Sequence, residues 1–162
     1  MKKILIIIVF FIGIGLNAHP HFFIDSNISF EKGKIKNQWL FDRLNSRVLL
    51  FDFDKNSNKK FDEEEKQEFI ETHFKTLEQN NYNIFLSDEK EYEIKPSNID
   101  VKFQERRVSL TFDIDVDLSN EFTMCTMDEK IYMAFKLNEV SSSNKLDVQK
   151  SEYDFCLGVS SE

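Results

Sequence analysis

Apolar and polar residues alternate along two stretches of this 162-residue chain, which is the pattern of a β-strand with one buried face. The first stretch runs from 22 to 30 and the second from 108 to 118. Their apolar positions are Phe22, Ile24, Ile28, Phe30, Val108, Leu110, Phe112, Ile114, Val116 and Leu118. The acidic row on the other face of the second stretch, Asp113, Asp115 and Asp117, is expected to be a solvated strand face.

Shorter patterns predict the remaining elements. Further strands are expected at 34–42, 83–86, 91–94, 99–103, 131–137 and 146–148, with polar turns at 87–90 and 96–98. Asp42 can cap a helix that runs through Val48 and Leu49, and a second helix is expected from about 62 to 79. The predicted fold class is therefore α+β, an antiparallel β-sheet or sandwich with an inserted, EF-hand-like helix-loop-helix hairpin at about 43–79.

Lys32 and Gly33 form the predicted two-residue turn between the first two strands. With such a turn, the numbers of residues that face each other across the strand pair sum to about 65. Phe23 is then opposite Asp42, and Asp42 lies diagonal to His21 on the same side of the pair. The register thus predicts a carboxylate close to the start of the first strand.

The start of the chain has the pattern of a secretory signal peptide, because Lys2 and Lys3 precede an apolar run at 4–16 that is too short to span a membrane. We expect cleavage after Ala18, with an uncleaved signal anchor as the alternative. The predicted parts are a signal peptide at 1–18 and a single periplasmic or exported domain at 19–162. The whole chain has a net charge of −8, and an acidic protein of this kind suits cations and not nucleic acid.

Cys125 and Cys156 are the two cysteines of the chain. In an exported protein an even number of cysteines favours a disulfide, so we expect these two to pair. The alternative is that the run Met124-Cys125-Thr126-Met127 offers soft sulfur ligands to copper.

The segment from Asp54 to Glu65 has oxygen-bearing side chains at the spacing of a twelve-residue calcium loop. The predicted calcium ligands are Asp54, Asn56, Asn58, the carbonyl of Lys60, Asp62 and Glu65. Lys59 stands at position 6, where the sharp turn normally uses glycine, so we expect weak calcium binding with a Kd of about 10⁻⁴ to 10⁻³ M. The alternative interpretation is that Asp62 caps a helix and Glu65 is its capping-box partner.

Cleavage at the predicted position would make His19 the first residue, with a free α-amine beside its imidazole. His21 adds a second imidazole and Asp42 a carboxylate, and this ligand set suits Zn²⁺. Pro20 has no amide hydrogen, so the square ligation that Cu²⁺ or Ni²⁺ takes from two backbone amides is broken, and we rank copper second and nickel or cobalt third. The alternative is that both histidines are exposed polar residues.

His73 recurs with Phe69 and Leu77 at steps of four along the second predicted helix. This spacing is typical of a residue in or at the rim of the core, so His73 is not assigned to the metal site. A copper oxygenase that uses its own terminal amine would need His73 as the distant histidine. We find no nucleophile–base pair or catalytic carboxylate pair in the sequence, and we expect no enzymatic activity.

Four motifs occur in a characteristic order: His19-Pro20-His21-Phe22 after the leader, Trp39-Leu40-Phe41-Asp42, the loop 54–65, and the stretch 128–132. Together they resemble the bacterial domain-of-unknown-function family one thousand and seven, exported proteins often labelled as substrate-binding components of ABC-type transport systems. The resemblance implies a gene beside transition-metal transporters of the nickel, cobalt or zinc type. It also implies that the paired histidines and Asp42 are family features, whereas relatives usually have glycine at the position of Lys59.

The sequence therefore favours a periplasmic divalent-metal-binding accessory protein of a transition-metal transport or homeostasis system. Its partners would be the metal ion and an inner-membrane metal transporter, with weakly bound Ca²⁺ and with Zn²⁺ or another transition metal as cofactors. One domain of this size hardly provides the two lobes of a solute receptor, which favours an accessory role. The alternative is a calcium-stabilised structural or interaction module of the cell envelope.

Overall fold

The computed structural model describes residues 22–117, 121–128, 133–142, 146–150 and 155–161. Within these residues the chain forms nine strands, two α-helices and a further helical stretch. The strands are β1 (Phe22–Glu31), β2 (Lys34–Phe41), β3 (Ile84–Ser87), β4 (Pro96–Gln104), β5 (Arg107–Asp115), β6 (Glu121–Thr126), β7 (Met133–Ser142), β8 (Leu146–Lys150) and β9 (Cys156–Ser161). The helices are α1 (Arg43–Phe53) and α2 (Glu63–Phe69), and α2 continues as a π-helix (Ile70–Phe74) and a 3₁₀ stretch (Lys75–Asn83).

The strands form two sheets. Sheet one has the order β4-β5-β2-β1-β7, and sheet two has the order β3-β6-β9-β8. All neighbouring strands are antiparallel except β1 and β7, which are parallel. The described chain is therefore mostly β structure, with the helical segment inserted between β2 and β3, where the sequence predicted an insertion.

The predicted register of the first hairpin is confirmed. Ile24 pairs with Phe41 and Glu31 with Lys34, and Gly33 in the turn has a left-handed φ of 71° that glycine adopts without strain. Beyond the last ladder pair, the amide of Asp42 donates to the carbonyl of Phe23 at 2.9 Å. Phe23 and Asp42 therefore face each other at the end of the strand pair.

One hydrophobic core joins the two sheets and the helical segment. The buried ring of Trp39 on β2 lies 5.9 Å from the ring of Phe74, 5.1 Å from that of Phe112 and 4.9 Å from that of Phe135. Towards sheet two, the rings of Phe30 and Phe122 meet edge to face at 5.4 Å. Edge-to-face aromatic pairs of this kind add to the stability gained from burial alone.

The second helical element departs from the prediction of one continuous helix over 62–79. Its winding loosens to a π turn after Phe69, so the next ring in the core is Phe74, five residues further on. A regular α-helix would have turned His73 inward instead. None of the helices in the described parts of the chain is long and apolar enough to cross a membrane.

One predicted strand and one predicted turn also need correction, and two strands were not predicted. The predicted strand 91–94 is a single bridge between Ser87 and Glu91, because the chain there turns away to hydrogen-bond with the helical segment through Asn81. The predicted turn 96–98 lies inside β4, which bulges between Ser97 and Asp100. The strands β6 and β9, of six residues each, were not predicted.

Candidate metal centres

The predicted calcium loop connects α1 to α2. Asp54 is the C-cap of α1 and Asp62 is the N-cap of α2. Lys59 has a left-handed φ of 63°, which is the conformation that position 6 of a calcium loop requires. A residue with a Cβ pays about 1 kcal/mol to adopt it, so the strain expected from the sequence is present in the backbone.

The side-chain oxygens of the first half of this loop accept hydrogen bonds from the loop's own amides. The carboxylate of Asp54 accepts from the amide of Asn58 at 3.0 Å and from the amide of Lys59 at 2.8 Å. The side-chain oxygen of Asn56 also accepts from Asn58, at 3.0 Å, and that of Asn58 accepts from the amide of Lys60 at 2.7 Å. These contacts curl the loop around its oxygens.

The second half of the loop forms a complete capping box. This was the alternative interpretation of the sequence. Asp62 accepts from the amide of Glu65 at 3.1 Å, and the Glu65 carboxylate accepts from the amide of Asp62 at 2.9 Å. Glu65 is only 2 % exposed, and its second oxygen accepts from the amide of Lys55 at 2.8 Å. Glu65 therefore ties the beginning of the loop to its end.

The capping box is confirmed, and calcium binding stays a prediction. Among the described residues, no group of three or more His, Cys, Asp or Glu side chains converges as it would around a metal ion. The carboxylates of Asp54, Asp62 and Glu65 are all engaged with amides instead. A cation in this loop would have to share these oxygens through their remaining lone pairs.

Asp42 is the described member of the predicted transition-metal site, and His19 and His21 lie outside the described residues. The Asp42 carboxylate caps α1 by accepting from the amides of Leu44 at 2.7 Å and Asn45 at 3.1 Å, and from the Asn45 side-chain amide. It also accepts from the amide of Phe23 at 3.4 Å. Burial alone would raise the pKa of Asp42, but hydrogen bonds from Asn45, Leu44 and Phe23 hold the pKa below its ordinary value.

His73 lies at the rim of the core, as the sequence indicated. Its ring stacks on that of Phe69 at 5.4 Å and meets that of Phe53 edge-on at 4.9 Å. Burial against these rings lowers the pKa of His73, and the Asp52 carboxylate opposes this shift. With Phe22 and Met133, His73 lines a small apolar cavity of about 30 Å³. Its ring has a packing role in the described structure.

The predicted disulfide is confirmed. Cys125 on β6 and Cys156 on β9 are directly opposite each other in sheet two and are bonded. The copper alternative at 124–127 is therefore wrong for Cys125, because its sulfur is already bonded and cannot ligate as a thiolate. Met124 is buried in the core.

Two residues of the acidic row, Asp113 and Asp115 on β5, are ion-paired, so this face is not only a solvated strand face. The ammonium of Lys34 lies 3.0 Å from Asp113 and 3.6 Å from Asp115, and the amide of Asn98 donates to Asp113 at 2.8 Å. Burial would raise the pKa of Asp113, but Asn98 and Lys34 hold it below its ordinary value. These contacts fasten β4 and β2 to β5.

A second polar group was missed by the sequence reasoning. Ser26 and Asn37 are almost fully buried on the inner face of sheet one. Their side-chain polar atoms and the indole nitrogen of Trp39 have no hydrogen-bond partner among the described residues. Ser26 interrupts the apolar positions of the first alternating stretch, and this interruption could have indicated a buried polar residue. Such groups cost free energy and are commonly satisfied by buried water.

The fold and these sites define a two-sheet, mostly β domain with a helical insertion that is closed by a capping box. The chain belongs to the family described as protein of unknown function (DUF1007), whose family model matches residues 4–157. The motifs in the sequence resembled the same family. No curated protein matches the chain, and no solved structure matches it.

Proposed function

We propose that this protein is a periplasmic divalent-metal-binding accessory protein of a transition-metal transport or homeostasis system. The observation that carries the proposal is the position of Asp42. Its carboxylate lies 3.4 Å from the amide of Phe23, at the end of β1 from which the chain continues back towards the histidines. A carboxylate with the oxygen atoms that a metal ligand needs is therefore fixed next to the start of β1.

The reach of the chain limits how far the second histidine can lie from this carboxylate. His21 is two residues before Phe23, so their Cα atoms are at most about 7 Å apart. An imidazole and a carboxylate can together bridge such a distance to a metal that lies about 2 Å from each ligand atom. His19, with its imidazole and a free amine after processing, would complete a four-ligand set.

This ligand set favours Zn²⁺, then Cu²⁺, then Ni²⁺ or Co²⁺. Two imidazoles, an amine and a carboxylate match the nitrogen and oxygen donors of tetrahedral zinc sites. Asp42 already accepts several hydrogen bonds as a helix cap, which fixes its orientation but also reduces its share in a metal bond. We therefore expect an exchangeable site, as suits a protein that hands a metal ion on to a transporter.

Isothermal titration of the untagged processed protein with Zn²⁺ tests the proposal. The first residue is established by mass spectrometry, because a tag ahead of His19 would remove the amine ligand. We expect binding that falls at least about tenfold in a His21→Ala variant and is unchanged in the matched control His73→Ala. Equal Zn²⁺ affinity of the wild type, His21→Ala and His73→Ala contradicts the proposal. The absence of binding heat when Zn²⁺, Cu²⁺, Ni²⁺ and Co²⁺ are each titrated contradicts it as well.

The second candidate is a calcium-stabilised structural module of the cell envelope. The left-handed φ of Lys59 and the inward oxygens of Asp54, Asn56 and Asn58 favour it. A rise in melting temperature with Ca²⁺ that is lost in Asp54→Ala, together with no transition-metal binding, would select this candidate over the first.

A further inference from the structure

Three polar side chains follow one another on the outer face of β1. Asp25, Asn27 and Ser29 alternate with residues that are buried in the core, so their side chains lie on the same side of the strand. The run from Asn27 to Ser29 also has the Asn-x-Ser/Thr pattern of an N-glycosylation acceptor. No other asparagine of the chain is followed two residues later by serine or threonine. A pattern this short also occurs by chance, so the surroundings of Asn27 decide its meaning.

The side-chain amide of Asn27 has one hydrogen to spare. Its nitrogen donates to Oε1 of Gln38 at 2.9 Å. Its oxygen accepts from the side-chain amide of Asn138 at 2.9 Å and from the backbone amide of Glu139 at 3.2 Å. An asparagine side chain has two N–H donors and two acceptor lone pairs, so among the described residues one N–H stays without a partner. An N-glycosidic bond replaces one amide hydrogen and keeps the other, so a glycosylated Asn27 retains every atom that these three hydrogen bonds require.

Space for a saccharide lies beside this amide. An open groove of about 650 Å³ runs over the outer face of sheet one and includes Asn27 in its lining. This volume is in the range of small-molecule sites, about 300–1,000 Å³. Amide and hydroxyl groups line the groove, as in Ser29, Gln38 and Thr111. Its charged residues balance one another in sign and are Lys36, Asp113, Glu139 and Lys150. Such a lining suits a neutral ligand rich in hydroxyl groups, which donate and accept hydrogen bonds.

The strand that closes over Asn27 is the last strand of sheet one in the chain. The order of this sheet is β4-β5-β2-β1-β7, so β1 is an edge strand until β7 pairs with it. Asn138 and Glu139, which hold the Asn27 oxygen, belong to β7 and lie 111 and 112 residues later in the chain. An edge strand presents its unpaired groups to other proteins. Asn27 is therefore accessible to a transferase before β7 docks.

The disulfide between Cys125 and Cys156 agrees with the compartment that this modification needs. Disulfides form and persist in oxidising compartments such as the periplasm, and Asn-x-Ser/Thr acceptors are modified in secreted proteins. The inference rests on the export that the proposed function assigns to the protein, but it does not depend on metal binding.

We propose that Asn27 is an N-glycosylation site and that its saccharide lies in the polar groove of sheet one. In the transfer, Nδ2 of Asn27 forms a bond to the anomeric carbon of an oligosaccharide that is carried on a lipid pyrophosphate. The bond between that carbon and the pyrophosphate oxygen breaks, the lipid pyrophosphate leaves, and a base of the transferase takes one amide proton. Ser29 supplies the hydroxyl by which the acceptor is recognised. The outer face of sheet one is then covered by carbohydrate.

Intact-mass spectrometry of the protein purified from its own host cells tests the proposal. We expect a mass that exceeds the processed polypeptide by one oligosaccharide, located on the peptide that contains Asn27. Ser29→Ala and Ser29→Thr are the matched pair of variants. Ser29→Ala removes the hydroxyl and should lose the added mass completely, whereas Ser29→Thr keeps a hydroxyl and should retain it. Asn27→Gln should also lose the added mass.

A processed protein with the mass of the bare polypeptide would overturn this inference and leave the proposed function standing. A protein that keeps its leader and is not exported would overturn both. An added mass that persists in Ser29→Ala would overturn the assignment to Asn27. The placement of the saccharide has its own measurement, nuclear Overhauser contacts between saccharide protons and Thr111 in the groove. A saccharide on Asn27 without these contacts would overturn its placement in the groove.

Discussion

Asp42 and Asp62 each cap the N-terminus of a helix with a carboxylate, but their other hydrogen bonds differ. Asp62 exchanges hydrogen bonds with Glu65 inside one helical turn, so its role is local. Asp42 also accepts from the amide of Phe23, which lies 19 residues earlier and belongs to a strand. The comparison shows that the same cap can close a loop on itself or fasten a helix to a sheet, and only the second kind connects distant parts of the chain.

Removing Glu65 should have the largest effect of any change at these caps. Glu65→Ala removes a carboxylate that is 2 % exposed, takes the acceptor from the amide of Asp62 and one of two acceptors from the amide of Lys55, and we expect a loss of about 3 kcal/mol in the free energy of unfolding. Urea unfolding measures it. Glu64→Ala, at the exposed neighbour, should change stability by less than about 0.5 kcal/mol. Similar effects of the two substitutions would show that the loop does not depend on the buried carboxylate.

The two caps themselves can be compared directly. Asp42→Ala should cost about 2 kcal/mol and Asp62→Ala about 1 kcal/mol, because Asp42 accepts from the strand as well as from the helix. Chemical denaturation of both variants gives the difference. Asp42→Asn, which keeps an acceptor oxygen, should recover more than half of the loss. A larger cost at Asp62 would mean that the link to β1 contributes little.

The pH dependence of stability should report Asp42. Its folded-state pKa is lowered, so the carboxylate contributes stability that is full above its ordinary value of 3.8 and disappears as the pH falls through the folded-state pKa. The stability difference between wild type and Asp42→Asn should therefore be constant near neutral pH and shrink below about pH 4. Unfolding free energies measured from pH 7 to pH 3 check this. A difference that does not change with pH would contradict it.

The smallest effect is expected at the strained residue between the caps. Lys59→Gly removes the strain of the left-handed φ but increases the conformational entropy of the unfolded chain. We therefore expect the free energy of unfolding to rise by about 0.5 kcal/mol. Lys60→Gly, one residue later and without a positive φ, should lose about 0.5 kcal/mol. Thermal melts of the pair measure the difference. Equal changes in both would mean that the φ of Lys59 stores no strain.

The parts of the fold that depend on local rules were predictable from the sequence. The turn at Lys32 and Gly33 gave the register, and the register placed Phe23 opposite Asp42. The capping box of Asp62 and Glu65 was readable for the same reason, since its residues are three apart. The cysteine pair followed from their number and the signal pattern.

The remaining features depend on contacts that one stretch of sequence does not contain. The π turn replaces His73 with Phe74 in the core because Trp39 and Phe112, on two strands, accept the Phe74 ring. The short strands β6 and β9 form by pairing with each other inside sheet two. The exposed apolar face of α1 was not predicted either: the sequence ran the apolar side of this helix through Val48 and Leu49, and the structure buries Leu49 but exposes Val48.

The order of sheet two sets a time at which this protein can fold. β9, the last described strand, lies between β6 and β8, so the sheet has a gap at its centre until residues 156–161 have been made. Sheet one likewise lacks its β7 edge until residue 142. A chain that must wait for its late strands cannot close either sheet while it is being synthesised. The Cys125–Cys156 bond, which joins β6 to β9, likewise waits for the last described strand.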